Sequence, residues 1–257
     1  MSSLPKLKTG PPDANAVLKR AMILRNLFVW GLVIPPPSLL AEHLAKWADS
    51  ERVDFNAKHR DLFAPRIQQL QKTGLWHEME ERERSLMERD AFEIPEQELI
   101  DANWLAESAA CLLWALEYTP EIPTYDRRAD TRLMKMEFGK QPSLRALESI
   151  KEHRDLAELW HWRARTYQLQ KTGETIELPQ GLTIDRILQM TSEKAAENGA
   201  FSSPICGDFP AFNKAYRELN NEEYSLANSI AMERHRAFNW LCGYAPGNLW
   251  SKTPTDT

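Results

Sequence analysis

Apolar residues in this chain recur at the spacing of an α-helix, and this periodicity constrains the fold more than any other feature. The segment from Pro95 to Tyr118 is apolar on two sides, so we expect a helix packed on both. The first side carries Leu105, Ala109, Leu112 and Leu116, and the second carries Ile100, Trp104, Cys111, Trp114 and Tyr118. Strand-like alternation is almost absent, with Thr175–Leu178 as a short candidate. The sequence therefore predicts an all-α fold with little or no β-structure.

Capping and helix-breaking residues divide the rest of the chain into further helices. Asp13 stands at an N-cap position and Gly31 at a stop, which predicts a first helix that ends at Trp30. Further helices are predicted at 38–50 (capped by Ser38), 95–118, 143–172, 183–198 and 222–242, with shorter charged helices in 51–90 that break near Pro65 and Gly74. We expect an irregular multi-helix single domain of roughly eight to ten helices over residues 13–257, after a flexible N-terminus at 1–12.

Charge and cysteine content exclude several classes of protein. Asp and Glu total 37 against 32 Lys and Arg, a net charge of -5, and this argues against a nucleic-acid partner because phosphate neutralisation needs a basic surface. Cys111, Cys206 and Cys242 form no CxxC pair, so we expect neither a disulfide framework nor a cysteine-rich zinc site. The apolar run 21–34 is interrupted by Arg25 and is too short to span a membrane. We therefore predict a cytoplasmic protein with no membrane partner.

A charged residue interrupts the apolar stripe of the last predicted helix. The stripe consists of Ala227, Ala231, Phe238 and Leu241, and Arg234 lies in its middle. An arginine stays charged, so its burial without a partner would be strongly unfavourable. Glu107 is set in a similar way between Trp104 and Trp114. We expect Glu107 to pair with Arg234, or with an arginine of the first helix, and so to fix the helix register; the alternative is that these charges line a pocket for a charged ligand.

Helical angles, an ExxH spacing and the C-terminal stretch together give a set of candidate residues for a buried charge network or a pocket. They are Arg20, Arg25, Trp104, Glu107, Trp114, His161, Arg234, His235, Asn239, Trp240 and Asp256. Glu158 and His161 form an ExxH, but a di-iron site needs a second such pair, which the sequence lacks, so we expect no metal and no cofactor. Trp240 faces a polar side, and we expect Trp250 and the C-terminal tail to cover it; the alternative is an exposed anchor for a partner.

Residues 233–243 (ERHRAFNWLCG), followed by Trp250 and by PTDT at 254–257, resemble the closing motif of a bacterial family with a domain of unknown function, DUF4272. Stretches that also look similar to this family are 20–25, 104–107, 113–116, 160–163, 207–209 and 216–219. The resemblance begins near residue 15 and leaves 51–90 and 126–142 unassigned. It implies a single all-helical domain of bacterial origin, and it carries over no activity, cofactor or catalytic residue.

Two classes of function fit these observations. The leading hypothesis is a cytosolic interaction protein, either an adaptor or an immunity-like protein. An acidic chain suits a basic partner protein. The catalytic motifs GxSxG and HExxH and the Gly-rich phosphate loops are missing from the sequence. The alternative is a small-molecule binder or an enzyme that uses Glu107, Arg234 and His235. A pocket that holds these side chains would favour the alternative, and a solid core with internally satisfied hydrogen bonds would favour a structural role. A purely structural or oligomerising unit is a third hypothesis.

Overall fold

The computed structural model describes residues 10–138, 141–173, 178 and 181–256. The α-helices, in chain order, are α1 (Ala14–Val33), α2 (Pro37–Leu44), α3 (Asp49–Lys72), α4 (Leu75–Glu78), α5 (Glu81–Glu88), α6 (Glu96–Ala115), α7 (Leu147–Thr172), α8 (Ile184–Glu197) and α9 (Asn221–Leu241). Two-residue strands β1 (Pro210–Ala211) and β2 (Lys214–Ala215) pair in antiparallel register. The prediction of a mostly α fold is confirmed. Residues 175–177 of the strand candidate lie outside the described residues.

Helix α6 lies at the centre of the fold because both of its apolar sides are covered. It packs extensively against α1 and also against α9, and α9 packs in turn against α7. The larger hydrophobic core is formed by α1, α6, α7, α9 and the segment around the strands. A smaller core lies between α1, α6 and the segment from α3 to α5. The two-sided packing predicted for α6 is therefore confirmed. Among the described residues, none of the helices has the length and apolar character to cross a membrane.

Several helix starts follow from the capping residues in the sequence. The Asp13 side chain accepts the Ala16 N–H at 2.8 Å, as predicted for the start of α1. Thr183 caps α8, and Asn220 caps α9 by accepting the Glu223 N–H at 2.9 Å. These side chains satisfy backbone donors that have no partner within the helix. Local sequence is therefore sufficient to set these boundaries.

Gly31 does not end the first helix, contrary to the prediction. It lies inside α1, where a Cβ atom would be 2.7 Å from the Ala102 Cβ on α6. The glycine is needed for the close approach of the two helices rather than for a turn. The helix ends two residues later, at Val33, just before the triple proline.

Pro65 does not break the charged region, again contrary to the prediction. It lies within α3, which is continuous from Asp49 to Lys72, whereas the predicted break at Gly74 is present. Proline removes the hydrogen bond to the carbonyl of Asp61, but both residues are exposed, so water can satisfy that carbonyl. Because this part of α3 is exposed, the helix continues through Pro65 without that hydrogen bond.

Two other predicted boundaries were wrong. Pro36, and not Ser38, occupies the N-cap of α2, and the predicted 38–50 helix is divided because α2 ends at Leu44. Helix α6 ends at Ala115 rather than at Tyr118. Glu117 there takes a left-handed φ of 64°, which turns the chain away from the helix axis.

Candidate functional site

Glu107 on α6 and Arg234 on α9 form a completely buried ion pair. Arg234 Nη2 and Nε donate to Glu107 Oε2 at 3.0 and 3.2 Å. The second carboxylate oxygen, Oε1, accepts the Ala129 N–H at 2.7 Å. The two residues that the sequence singled out therefore meet. Because the pair joins two central helices, it also defines how α6 and α9 are aligned.

The remaining donors of Arg234 hold the loop that follows α6. Nη1 donates to the carbonyl oxygens of Pro123 and Thr124, and Nη2 donates to that of Arg127 at 2.9 Å. The Tyr125 ring lies 4.9 Å from the guanidinium carbon. All three guanidinium nitrogens are thus bonded to protein oxygens. This geometry favours the structural interpretation of the pair over a ligand pocket.

His161 on α7 and His235 on α9 face each other in the same part of the core, with their Nδ1 atoms 3.1 Å apart. His235 Nε2 lies 2.9 Å from Asn239 Nδ2, which also donates to the Pro254 carbonyl at 2.9 Å. Asn239 Oδ1 accepts from Arg154 Nε at 2.9 Å. A continuous chain of hydrogen bonds therefore links α7, α9 and the C-terminal tail.

These partners permit a single protonation arrangement of the two rings. Because Arg154 can only donate and the Pro254 carbonyl can only accept, the orientation of the Asn239 amide is determined. Asn239 Nδ2 then donates to His235 Nε2, so His235 carries its proton on Nδ1 and donates it to Nδ1 of His161. Each imidazole is therefore neutral.

The pKa of both histidines is lowered to about 4, and burial is the largest cause. For His161 the positive charges of Arg165 and Arg236 add to this effect, and Asp256 opposes it. For His235 the neighbouring His161 and the Arg154 guanidinium lower the pKa further. Protonation of either ring would place two N–H groups opposite each other, so the contact requires both rings to stay neutral.

The C-terminal tail covers Trp240, as the sequence predicted. The Trp240 indole N–H donates to the Asn248 carbonyl at 3.0 Å, and its ring lies 5.8 Å from that of Trp250. Both indoles are buried. The exposed-anchor interpretation of Trp240 is therefore wrong. Asp256 is exposed and acts on His161 through its charge.

The other predicted residues make no hydrogen bond to the ion pair in the described part of the chain and have different partners. Arg20 pairs with Glu83 at 2.6 Å, Arg25 donates to the Met136 carbonyl at 2.8 Å, the Arg128 guanidinium lies 4.4 Å above Trp104, and Trp114 packs 4.0 Å from the His153 ring. In the ExxH, Glu158 pairs with Arg154 at 2.6 Å while His161 bonds to His235. The two halves of that motif therefore serve separate contacts.

A second buried ion pair was missed. Arg163 on α7 donates to both oxygens of Asp208 at 2.6 and 2.8 Å, and both side chains are fully buried. Burial alone raises the pKa of Asp208, but the Arg163 bonds and the N–H groups of Phe209 and Arg217 hold it below its ordinary value. Arg163 lies beside the predicted Trp160 stripe, so helical angles could have found it. Asp208 is in a loop, where no periodicity marks it.

A partly exposed aromatic cluster lies at the junction of α2 and α3, and the sequence analysis did not identify it. We call it the aromatic corner, and it consists of His43, Trp47, Phe55 and Phe92. Trp47 and Phe55 have ring centroids 5.4 Å apart, and Phe55 and Phe92 are 5.2 Å apart. Leu39 precedes His43 by one helical turn and is 52% exposed. The corner is therefore the edge of a larger apolar surface.

Comparison with known proteins gives one match. A family model described as Domain of unknown function (DUF4272) matches residues 45–190. The matched range includes Glu107 and most of the aromatic corner, and it includes the stretches 51–90 and 126–142 that the resemblance left unassigned. Arg234, His235 and the tail lie outside it. No curated protein and no protein of solved structure matches the chain.

Proposed function

The chain belongs to the family of that domain of unknown function, and we propose that it is a protein-interaction domain, of the adaptor or immunity type, which binds a basic segment of a partner protein at the aromatic corner. The observation that carries the proposal is the cluster of half-buried aromatic rings beside Leu39, whose side chain is 52% exposed. Trp and Phe are the residue types that most often anchor protein interfaces. Trp30, Trp114 and Trp240, in contrast, are buried.

The surface around the corner has apolar and acidic components. Leu39 precedes His43 on α2, and Leu62 follows Phe55 by about two turns of α3 and is 59% exposed. Exposed acids on the same segments are Glu42, Asp49, Glu51, Asp54 and Glu93, with Lys46 and Arg52 among them. The chain as a whole has a net charge of -5. A partner segment with apolar anchors and a basic rim therefore complements this surface.

We prefer this proposal to a catalytic one because of the state of the candidate catalytic residues. Glu107, Arg234 and His235 are fully buried. Their hydrogen bonds go to protein groups on α6, α7, α9 and the intervening loop. A substrate would have to displace these bonds in order to reach any of the three side chains. The burial and the hydrogen bonds of these three side chains therefore support a structural role for them, in a protein that binds its partner at the surface.

We also propose that the protein acts in the bacterial cytoplasm. The cysteines Cys111, Cys206 and Cys242 are all free thiols. Free cysteines are typical of a reducing compartment, in which disulfides are rare. The bacterial setting rests on the family resemblance alone. Detection of the tagged full-length protein in the soluble cytosolic fraction of its source organism would test the proposal, and recovery from a membrane or secreted fraction would contradict it.

Site-specific photo-crosslinking tests the interaction proposal directly. The photoreactive amino acid p-benzoylphenylalanine is introduced at position 39 beside the corner or at position 190 on α8, where Met190 is 50% exposed. We expect a single crosslinked protein, in stoichiometric yield, from position 39 and not from position 190. The captured protein should contain a basic segment at the crosslink. Identical products from both positions, or products made solely of this chain, would contradict the proposal.

A charge substitution supplies an independent test. Leu39→Glu places a carboxylate beside the aromatic corner, whereas Met190→Glu makes the same change at a distant exposed position. We expect Leu39→Glu to weaken the captured complex at least tenfold, because an apolar anchor is replaced by a hydrated charge. Met190→Glu should leave the affinity unchanged. Equal effects of the two variants would show that the corner is not the interface.

A further inference from the structure

A cavity of about 870 Å³ lies between α1, α3 and the segment 134–138. It is lined along α1 by Met22, Arg25, Asn26 and Val29, which lie at the spacing of one helix face. The facing side of α3 contributes Leu62, Arg66 and Gln69 at the same kind of spacing. The volume falls within the range of about 300–1,000 Å³ that is usual for small-molecule sites.

Two arginines inside this cavity have only neutral partners. Arg25 Nη1 donates to the Met136 carbonyl at 2.8 Å, and Arg66 Nη1 donates to Asn26 Oδ1 at 3.3 Å. Within the part of the chain that the structure describes, neither guanidinium has a carboxylate within 4.0 Å. Burial lowers the pKa of both groups, and the charge of Arg66 lowers that of Arg25 further. The Phe138 ring lies 4.9 Å from the guanidinium carbon of Arg25 and partly offsets its charge, but no carboxylate neutralises the repulsion between the two cations.

The rest of the lining is largely apolar and adaptable. Met22, Val29, Leu70, Met134 and Phe138 contribute apolar side chains. Methionine is unbranched and polarisable, so it can adjust to ligands of different shape. An anionic head group at the arginines would thus be adjacent to a hydrophobic wall.

We propose that this cavity binds a small organic anion that has a carboxylate or phosphate head group and an aliphatic tail. The head group accepts hydrogen bonds from Arg25 and Arg66 and neutralises their charge, since the guanidinium geometry matches both kinds of oxyanion. The tail lies against Met22, Val29 and Phe138. None of the four residues of the aromatic corner lines this cavity, which shares only Leu62 with the surface described around the corner.

The rim of the cavity carries both signs of charge. Lys135 and Glu137 are exposed there. Among the described residues that line the cavity, Glu137 is the one that carries a carboxylate. Its negative charge therefore repels an incoming anion and competes with it for the arginines. Its replacement by glutamine should strengthen anion binding.

Isothermal titration of the full-length protein with decanoate and with decyl phosphate, each below its micelle concentration, tests the proposal. Decanol serves as the uncharged control with the same tail, and acetate and inorganic phosphate serve as the head groups alone. We expect at least one of the two amphipathic anions to bind with 1:1 stoichiometry, at least tenfold more tightly than decanol or its own head group. Comparison of the two anions shows which head group is preferred.

Variants assign the binding to the cavity. Arg66→Gln should weaken anion binding about tenfold or more, Arg66→Lys should retain part of it, and Glu137→Gln should strengthen it. Arg165→Gln is the matched control, because Arg165 is an exposed arginine on α7 that bonds to a neutral glutamine. In the absence of ligand, the melting temperature of the Arg66→Gln variant should equal or exceed that of the wild-type protein, because the substitution removes the repulsion between Arg66 and Arg25.

Three outcomes would overturn the proposal. The first is equal affinity for decanol and the anions, which would indicate apolar binding without recognition of charge. The second is equal loss of affinity in Arg66→Gln and Arg165→Gln. The third is the absence of binding heat and of any rise in melting temperature with either anion at millimolar concentration.

Discussion

Arginines in the centre of the molecule and arginines in the α1–α3 cavity have different kinds of hydrogen-bond partner. Between α6, α7 and α9, the buried guanidinium groups of Arg234 and Arg163 each bond to a carboxylate. In the cavity, Arg25 and Arg66 bond to neutral oxygens and lie close enough to repel each other. The Glu107–Arg234 pair holds two helices together and leaves no donor of Arg234 for a ligand, whereas the Arg163–Asp208 pair joins α7 to a loop and leaves Arg163 Nη1 without a partner among the described residues. The arrangement in the cavity leaves the positive charge of Arg25 and Arg66 available to an anionic ligand. Such an arrangement lowers stability and is typical of binding sites, in which stability and function compete.

Breaking the Glu107–Arg234 pair should have the largest effect and tests the structural side of the comparison. Glu107→Gln is expected to lower the free energy of unfolding by about 3–5 kcal/mol, because it leaves Arg234 charged and buried without its counter-ion. Urea unfolding followed by circular dichroism measures this change. Glu197→Gln, which removes an exposed pair with Lys194, should cost less than about 1 kcal/mol.

A double-mutant cycle with Arg234→Met then isolates the contact itself. The double variant should be more stable than the sum of the two single changes implies, because neither partner remains charged and alone. Purely additive losses would mean that the two side chains contribute independently, contrary to the structure.

The paired histidines should make stability depend on pH. The pKa of His161 and His235 is about 4 in the folded protein, below the ordinary value of 6.5. The unfolded chain therefore binds more protons between pH 6.5 and 4, so the free energy of unfolding falls as the pH falls through this window. We expect the pair to contribute about 3 kcal/mol or more of that loss, because one histidine whose pKa falls from 6.5 to about 4 accounts for that amount by itself.

The variant His235→Gln separates this contribution from that of other groups. His59 and His153 also have lowered pKa values and are retained in the variant, so the difference between the two proteins reports on the pair. Unfolding curves in urea should show a flatter pH dependence for the variant. Parallel curves for the two proteins would contradict the assignment.

The tail should contribute less than either buried network. Deletion of residues 254–257 removes the Pro254 carbonyl that accepts from Asn239. The loss of that hydrogen bond is expected to cost about 1 kcal/mol and to lower the melting temperature by roughly 2–4 °C. Deletion of 256–257 alone keeps the bond and should cost less. An unchanged melting temperature in the longer deletion would refute the role given to the tail.

The smallest effect on stability is expected at the aromatic corner. Leu39→Glu should change the free energy of unfolding by less than about 0.5 kcal/mol, because the side chain is exposed and a glutamate in the first turn of α2 favours the helix dipole. Thermal unfolding checks this expectation. A large destabilisation would show that Leu39 supports the fold, and the loss of partner binding in this variant could then not be assigned to the interface.

Helical periodicity was most informative where one helix is buried on several sides. It identified α6 as doubly packed and selected Glu107 and Arg234 before their contact was visible. It also selected His235, and the ExxH spacing selected His161, but neither pattern predicted that the two rings touch, because the residues are 74 positions apart in the chain. Asp208 and the aromatic corner were missed for a related reason. Asp208, Trp47 and Phe92 lie outside the α-helices, where no helical period indicates the neighbours of a residue, and the ring partners of Phe55 lie on other segments.

The sequence by itself determined the helical fold class, the starts of α1, α6, α8 and α9, and the burial of charge on α6 and α9, because these depend on capping and on periodic patterns within a single segment. Only the tertiary structure decided which residue meets which. It placed Gly31 against Ala102, kept α3 continuous through Pro65, and brought Arg25 to the same cavity as Arg66. Such contacts depend on the relative position of segments that are distant in the chain, and no local spacing encodes that position.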